Sequence, residues 1–427
     1  MRVAYLAAGA GGMYCGSCLR DNRLASVLIA QGRDVHLWPM YTPLKVDEPR
    51  VGERRVRYGG INVFLQQASS LFTLMPAVMA RMLDAEVLLR AASRAAGSTR
   101  AEKLGPMTVS VLAGEEGRQK RELDKLLADL RTLKPDVVNL PNLMFLGQAR
   151  RIRRELNIPI ACTLSGEDLF LDALPEPHRT QAFELIAERS ADVDAFIAVT
   201  AYFAKRSVTH FALPAERMHV VPMGIHAHEF APSATPPAEP FTIGYFARIC
   251  PEKGLDRLAR AFVALRRAGC DCRLKIGGYL ARADRDYLAH VLREIHAAGF
   301  GHDVAHVGET DRAGKIAVLQ SLHVLSVPTV YPEAKGFYIL EALAAGTPVV
   351  QPRHGSFPEL LEATGGGLLY DHADESALTR ALAQLADDRD LHAHHARTGR
   401  ENVARDFTAE IMAEQTWTLY SQLTGRT

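Results

Sequence analysis

Short apolar runs alternate along this chain with longer amphipathic stretches. In the first half, Val3–Ala7, Asp34–Pro39, Asp136–Leu140, Ile158–Leu164, Phe196–Val199 and His219–Pro222 read as buried strands. Phe241–Phe246, Arg273–Gly277, Ala305–Val307, Val324–Val327 and Pro348–Val350 repeat the rhythm in the second half. Brief, continuously apolar segments bounded by turn residues suit strands covered on both faces, as in parallel sheets. Helical spacing runs from about Ser17 to Gln31, from about Leu255 to Ala268, onward from about Gly336, from Leu378 to Ala386, and from Phe407-Thr408 to near Leu423. Gly32 closes the first helix. Gly346, followed by Pro348, closes the one that starts near Gly336, where a helix end favours positive φ. Strand, glycine turn, helix and strand, begun once near residue 1 and again near residue 241, predict an α/β chain with two Rossmann-like, doubly wound domains.

A length of 427 residues agrees with more than one core. The Pro- and Ala-rich segment 231–240 (APSATPPAEP) is the best linker in the chain. The expected division is therefore 1–232, a linker at 233–240, 241–406, and a closing helical segment at 407–427. A formal net charge of +1 gives no reason to expect nucleic acid, and any basic site must be local. Six cysteines in so long a chain do not make a disulfide framework, so a cytoplasmic setting is expected. The N-terminal apolar run passes into glycines and reads as a first strand rather than a leader. The uncharged stretch Tyr58–Ala80 is broken by Gly59-Gly60, Gln66-Gln67, Ser69-Ser70 and Pro76, and does not read as a membrane span.

Gly9, Gly11 and Gly12 follow the first strand, but Met13-Tyr14 comes where a dinucleotide fingerprint would need its last glycine. The glycines serve close strand–helix packing, ligand approach, or both. Cys15-Gly-Ser-Cys18 opens the first helix. Without a second C-x-x-C (Cys270 and Cys272 are spaced differently), packing or cleft lining ranks first for this pair, a redox switch second and a metal last. Arg150, Arg151, Arg153 and Arg154 cluster on a predicted helix, as a solvated face or as a peripheral membrane contact, the former preferred.

The densest chemistry lies between Val327 and Val350. Glu333 and Glu341 stand eight positions apart, one in a loop and one on a helix, and Gly336-Phe337 places a helix N-terminus between them. Such a terminus offers N–H groups and a positive dipole end to an anionic or hydroxyl-rich ligand. Taken alone, the two carboxylates would read as a solvated helix face. Further upstream, Arg248 and Lys253 flank Pro251-Glu252, two cations on one loop that make a local site for an anion. In the first half, Glu167 and Asp168 follow Ser165-Gly166 at a strand end. They are candidates for binding acceptor hydroxyls or accepting a proton, with a helix cap by Ser165 or Asp168 as the plainer alternative.

The Glu333–Glu341 spacing followed by Ala-Leu-Ala-Ala-Gly-Thr-Pro-Val-Val, with Arg-Ile-Cys-Pro-Glu-Lys-Gly-Leu-Asp from Arg248, resembles the donor-binding elements of retaining glycosyltransferases of the GT-B fold, family 4. The resemblance covers essentially the whole chain. It implies two domains facing a central cleft, with the last helix, carrying Trp417, crossing back to the first. It implies transfer of a sugar from a nucleotide-sugar donor, with retained configuration and without metal or cofactor. The acceptor would be a sugar, lipid or other small molecule, and the setting the cytoplasm, with contact at the inner face of the membrane as a further option. Arg248 and Lys253 would hold the diphosphate and Glu341 the ribose. Glu333 would hold the sugar, with backbone N–H groups of Gly336 and Phe337. The turns at Gly11, Gly12, Gly278 and Gly308 would meet the donor. The chain departs from the family where histidines commonly follow two first-domain strands: it has Asn139, Pro141 and Asn142, then Ser165-Gly166-Glu167-Asp168. Acceptor binding would thus fall to Glu167 and Asp168. A phosphorylase or a sugar-nucleotide epimerase on this fold, or a non-catalytic nucleotide-sugar-binding protein, are the alternatives.

Overall fold

Among the described residues twelve strands form two six-stranded sheets, and every strand pairing in them is parallel. This is a computed structural model, and it describes residues 1–9, 15–69, 83, 85, 88–89, 101–231, 237 and 239–426. Gly11, Gly12 and most of the expected linker lie outside the described residues. By their contacts, Met1–Pro222 with Ala409–Thr427 form one unit and Met223–Thr408 a second.

The first sheet runs β2-β1-β3-β4-β5-β6, from β1 (Arg2–Ala8), β2 (Asp34–Met40), β3 (Val137–Leu140), β4 (Ile160–Thr163), β5 (Ala195–Ala198) and β6 (Met218–Val220). The second runs β12-β11-β10-β7-β8-β9, from β7 (Phe241–Phe246), β8 (Cys272–Gly277), β9 (Val304–Gly308), β10 (Val324–Leu325), β11 (Val349–Pro352) and β12 (Gly367–Tyr370). β10 is shorter than its apolar run, because Val327 and Thr329 already belong to a loop that bonds to its surroundings through side chains. β12 was hidden in the sequence by the three glycines Gly365–Gly367. The last of these has to be small, since a Cβ there would come within 1.9 Å of the Val349 carbonyl oxygen on the neighbouring strand. In both sheets the winding reverses beside the first strand, between β1 and β3 and between β7 and β10. Open α/β sheets bind ligands outside the strand C-termini at such a reversal.

Each unit has its own core. In the first, Val3, Tyr5 and Ala7 of β1 pack with Leu24, Ala25 and Leu28 of the helix Gly16–Ala30, and with Met412, Ala413, Leu419 and Tyr420 of the last helix, Ala409–Leu423. Trp417 lies against this cluster with the Arg33 guanidinium over its ring at 4.7 Å. In the second, Ile243 and Tyr245 of β7 pack with Leu258, Phe262 and Leu265 of the helix Leu255–Arg267 and with Leu382 and Leu385.

The first helix also carries four consecutive buried polar residues. Arg20 donates to Asp21 at 2.6 Å and 2.9 Å and to the Leu164 carbonyl at 3.2 Å, and the Tyr5 hydroxyl donates to Asp21 at 2.9 Å. Asn22 takes both partners of a loop, the Pro49 carbonyl and the Val51 N–H. Arg23 forks onto Glu48. A second buried set joins Asn139 of β3 to Thr163 of β4 and to Tyr420, each at 3.0 Å. Burial drives the Tyr5 and Tyr420 hydroxyls far above their ordinary range, so both remain neutral donors. The basic cluster is fully paired: Arg150 with Asp192 and Glu188, Arg151 with Asp124 and Glu155, Arg153 with Asp194, and Arg154 with Glu115. Among the described residues no helix is long and apolar enough to cross a membrane.

Removing one partner of a buried pair strands the other's charge. Asp21→Ala is therefore expected to cost the first unit roughly 3–5 kcal/mol, read from chemical denaturation.

Candidate functional site

The loops that leave β7 and β10, the two strands at the reversal of the second sheet, carry Arg248, Lys253, Glu333 and Gly336. The first makes a 3-10 turn over Pro251–Lys253 and ends at Gly254, in the left-handed region at φ 70°. A Cβ on Gly254 would stand 2.0 Å from the Pro328 carbonyl oxygen, so only glycine lets the two loops close on each other. Val330 N–H donates to the Glu252 carbonyl at 3.0 Å and secures the contact. A third loop, after β11, supports Glu333 from behind: Ser356 N–H donates to the Glu333 carbonyl at 2.8 Å. Its Gly355 has a φ of 60° and room for no Cβ beside the Glu333 amide.

This framework brings the Lys253 ammonium onto Glu333 Oε2, and the Tyr331 hydroxyl donates to the same oxygen at 2.9 Å. Lys253 also lies over the rings of Tyr331 and Tyr338, at 5.2 Å and 5.4 Å. The two ionic side chains are only 13% and 7% exposed. Burial by itself would raise the Glu333 carboxyl. The Lys253 charge and hydrogen bond, with Lys335 and the Tyr331 hydroxyl, outweigh it and hold the group below its ordinary range.

Gly336, at φ 83°, precedes the helix Phe337–Ala344, whose start has no side-chain cap. Phe337 is buried. On that helix Glu341 meets Lys315 at 2.8 Å, both side chains under 9% exposed. Lys315 comes from the helix Arg312–Gln320, whose cap is Asp311, accepting from Gly314 N–H at 2.8 Å. Arg248 differs from both lysines. It is exposed, and among the described residues no carboxylate lies within ion-pair distance of its guanidinium. Its loop is anchored by the Tyr245 hydroxyl, which donates to the Arg248 carbonyl at 2.8 Å. Burial pushes the neighbouring Cys250 thiol up to about 11, so it carries no charge at neutral pH. Gly278 and Gly308, in the turns after β8 and β9, are joined by an N–H to carbonyl bond of 2.9 Å.

In the first unit the two acidic candidates are both engaged. Glu167 accepts from Leu143 N–H at 2.9 Å and from Ser165 N–H at 2.6 Å, stapling the loops after β3 and β4 together. Asp168 accepts from Arg206 at 2.7 Å, and no side chain caps the short helix it begins. Asn142 supplies a cap instead, to Met144 N–H. Cys18 is buried with its thiol on the Ala8 carbonyl at 3.1 Å, and Cys15 is half-buried. Among the described residues no group of three His, Cys, Asp or Glu side chains could hold a metal ion. Tyr331 and Lys315 were not singled out in the sequence. Lys315 had a signal, since it shares a helix face with Leu319, four positions on, where a solvated lysine would not be expected.

Two families match the chain in tandem, Glycosyltransferase Family 4 over residues 67–229 and Glycosyl transferases group 1 over residues 228–402. The chain belongs to the GT-B glycosyltransferases. A phosphatidyl-myo-inositol mannosyltransferase of Mycobacterium leprae is 31% identical over 170 residues, 40% of this chain and 43% of that protein, so the chain spans less than half of it. A D-inositol 3-phosphate glycosyltransferase of Corynebacterium diphtheriae is 24% identical over 85% of this chain and 89% of its own. Among solved structures, sucrose-phosphate synthase from Thermosynechococcus elongatus superposes with a TM-score of 0.73 at 18% identity, covering 100% of both chains. Anabaena HepE in complex with UDP superposes with a TM-score of 0.71 at 16% identity, covering 99% of this chain and 100% of its own. These solved structures share with this chain the fold of two Rossmann-like domains.

Gly254→Ala in this glycosyltransferase is expected to cost roughly 1–3 kcal/mol of stability in the second unit, seen as a lower thermal midpoint. The Lys253–Glu333 pair is also pH-linked. With its carboxyl held below the ordinary value of 4.5, the pair's contribution is complete above that pH and is lost as pH falls through the folded-state pKa. The stability advantage of the wild type over Glu333→Gln should therefore shrink on acidification below pH 4.5, measured by denaturation across pH.

Proposed function

We propose that this glycosyltransferase transfers a hexose from a nucleotide-sugar donor, with retained configuration and without a metal, to a hydroxyl of a sugar, polyol or lipid acceptor. One observation carries the reading: Lys253, Glu333 and an unpaired Arg248 converge on loops from the two strands at the sheet reversal. Arg248 forks onto the diphosphate while Lys253 supplies a point charge beside it, so that charge growing on the departing group meets cations already in place. Glu333 holds and orients the sugar with the backbone at Gly336 and Phe337, and Glu341 holds the ribose. The turns at Gly11, Gly12, Gly278 and Gly308 contact the donor through their backbone.

Retention fits a front-face route in which the departing phosphate takes the proton of the incoming hydroxyl. Double displacement would need a carboxylate beneath the ring. Glu167 and Asp168 are engaged with loop amides and Arg206, so their part in this proposal is to shape the acceptor loops and to bind acceptor hydroxyls. The relatives named for inositol phosphate and phosphatidyl-inositol support a polyol or lipid-linked hydroxyl as acceptor. The working compartment is the cytoplasm. Contact with its membrane face finds no support in the Arg150–Arg154 cluster, whose charges are all paired.

A ligand that binds only the native state, at a hundred times its Kd, adds about 2.7 kcal/mol to apparent stability. One of UDP-glucose, GDP-mannose and ADP-glucose is thus expected to raise the thermal midpoint, and indifference to all three would overturn the donor reading. With that donor, Arg248→Ala or Lys253→Ala should lower turnover by roughly 10²-fold. Unchanged kinetics in both variants would remove the diphosphate role.

A further inference from the structure

We infer that Tyr331 is a positioning residue for Glu333: its hydroxyl keeps the carboxylate ionised and aimed while Lys253 is drawn toward a bound diphosphate. The inference rests on the donor roles proposed above for Lys253 and Glu333.

One side-chain oxygen of Glu333 takes both of its hydrogen bonds. Oε2 accepts from both Lys253 Nζ and the Tyr331 hydroxyl, while among the described residues nothing bonds to Oε1. A carboxylate oxygen can take two donors, so the two bonds do not compete. They part company when a donor binds. Lys253 is a flexible point charge and a diphosphate is the stronger attractor, so its hold on Oε2 weakens as the phosphates arrive. Glu333 is 6% exposed, and a buried carboxylate that loses its cation protonates or turns away unless another donor holds it.

Tyr331 is that donor. Its backbone carbonyl accepts from the Thr329 hydroxyl at 3.0 Å, and its ring lies against Lys253, so the hydroxyl is fixed before any ligand enters. Burial raises the Tyr331 hydroxyl well above its ordinary range, which keeps it a donor at every working pH. With Oε2 held from inside, Oε1 remains for a sugar hydroxyl.

The other charged or titratable groups around Glu333 do not replace it. Lys335 acts on Glu333 through its charge, and among the described residues the Tyr338 hydroxyl has no hydrogen-bond partner. His354, on the loop after β11, bonds to the Thr329 carbonyl, and Arg248 and Cys250 lie on the Tyr331 side.

Tyr331→Phe keeps the ring beside Lys253 and removes only the hydroxyl. Turnover is measured as release of nucleoside diphosphate from whichever of UDP-glucose, GDP-mannose and ADP-glucose binds, across pH, beside Lys253→Ala and Glu333→Gln. The expected result is a fall in kcat of about tenfold or more, a smaller change in donor Kd, and an acid limb moved to higher pH. Wild-type kcat and acid limb in Tyr331→Phe, with the other two variants impaired, would overturn the inference alone. A lower kcat with an unmoved acid limb would mean a merely structural role and would overturn it too. Wild-type turnover in Lys253→Ala and Glu333→Gln, or no binding of any of the three donors, would remove the donor reading on which it stands.

Discussion

The second unit depends on keeping two opposite charges together almost out of water. Moving an ammonium and a carboxylate from solvent into a protein costs several kcal/mol per ion even after relaxation, and their attraction offsets this only when the geometry is close and the remaining valences are met. Lys253 and Glu333 satisfy that condition because three separate loops close around them. Gly254 lets the loop after β7 touch Pro328, Val330 ties the loops after β7 and β10 together, and Ser356 holds Glu333 from the loop after β11. A parallel doubly wound sheet delivers these loops to one place, since they leave adjacent strands at their C-terminal ends.

The Lys315–Glu341 pair repeats the arrangement one step along the same helix region. Each of the two carboxylates has a lysine against it. On the donor reading proposed above, a nucleotide sugar would bring both an anion for a lysine and hydroxyls for the carboxylates. The first unit spends its buried polar groups differently. The run Arg20–Arg23 and the Asn139–Thr163–Tyr420 set join secondary-structure elements to loops and to one another. Tyr420 gives the last helix a specific seat in the first unit that apolar packing alone would leave open to sliding.

The positions of most strands were legible because each is a short apolar run bounded by turn residues, whereas polar helices such as Lys120–Leu133 and Arg389–Asp406 left no comparable mark. β12 escaped because its glycines look like a breaker in sequence but serve close strand packing in space. Arg248, Lys253, Glu333 and Glu341 were legible as candidates from residue type and order, while the pairing of Lys253 with Glu333 emerged only in the fold. Tyr331 and Lys315 were not legible, since each acts on a residue distant in the chain or on the far side of a turn, and pairings of that kind appear only once a fold has been built. Glu167 shows the reverse case. In sequence it reads as an acceptor contact, and in the fold its carboxylate also accepts from the amides of Leu143 and Ser165, a second task set by buried N–H groups in a sharp loop at a strand end.

Electrostatics sharpen the contrast between Arg248 and the other arginines. With a net charge of +1 the whole molecule offers a diphosphate no long-range pull, so any attraction has to come from a local imbalance. Arg150, Arg151, Arg153 and Arg154 cannot supply it, each already holding a carboxylate. Lys253 and Lys315 are spent on Glu333 and Glu341 until a ligand arrives. Arg248 is the cation on these loops whose charge is exposed and has no carboxylate within ion-pair distance among the described residues. On the reading proposed above, a phosphate reaching the second unit would meet in Arg248 a guanidinium that gives up no carboxylate. Lys253, already paired with Glu333, would be drawn to the phosphates while Tyr331 keeps its own bond to the same carboxylate.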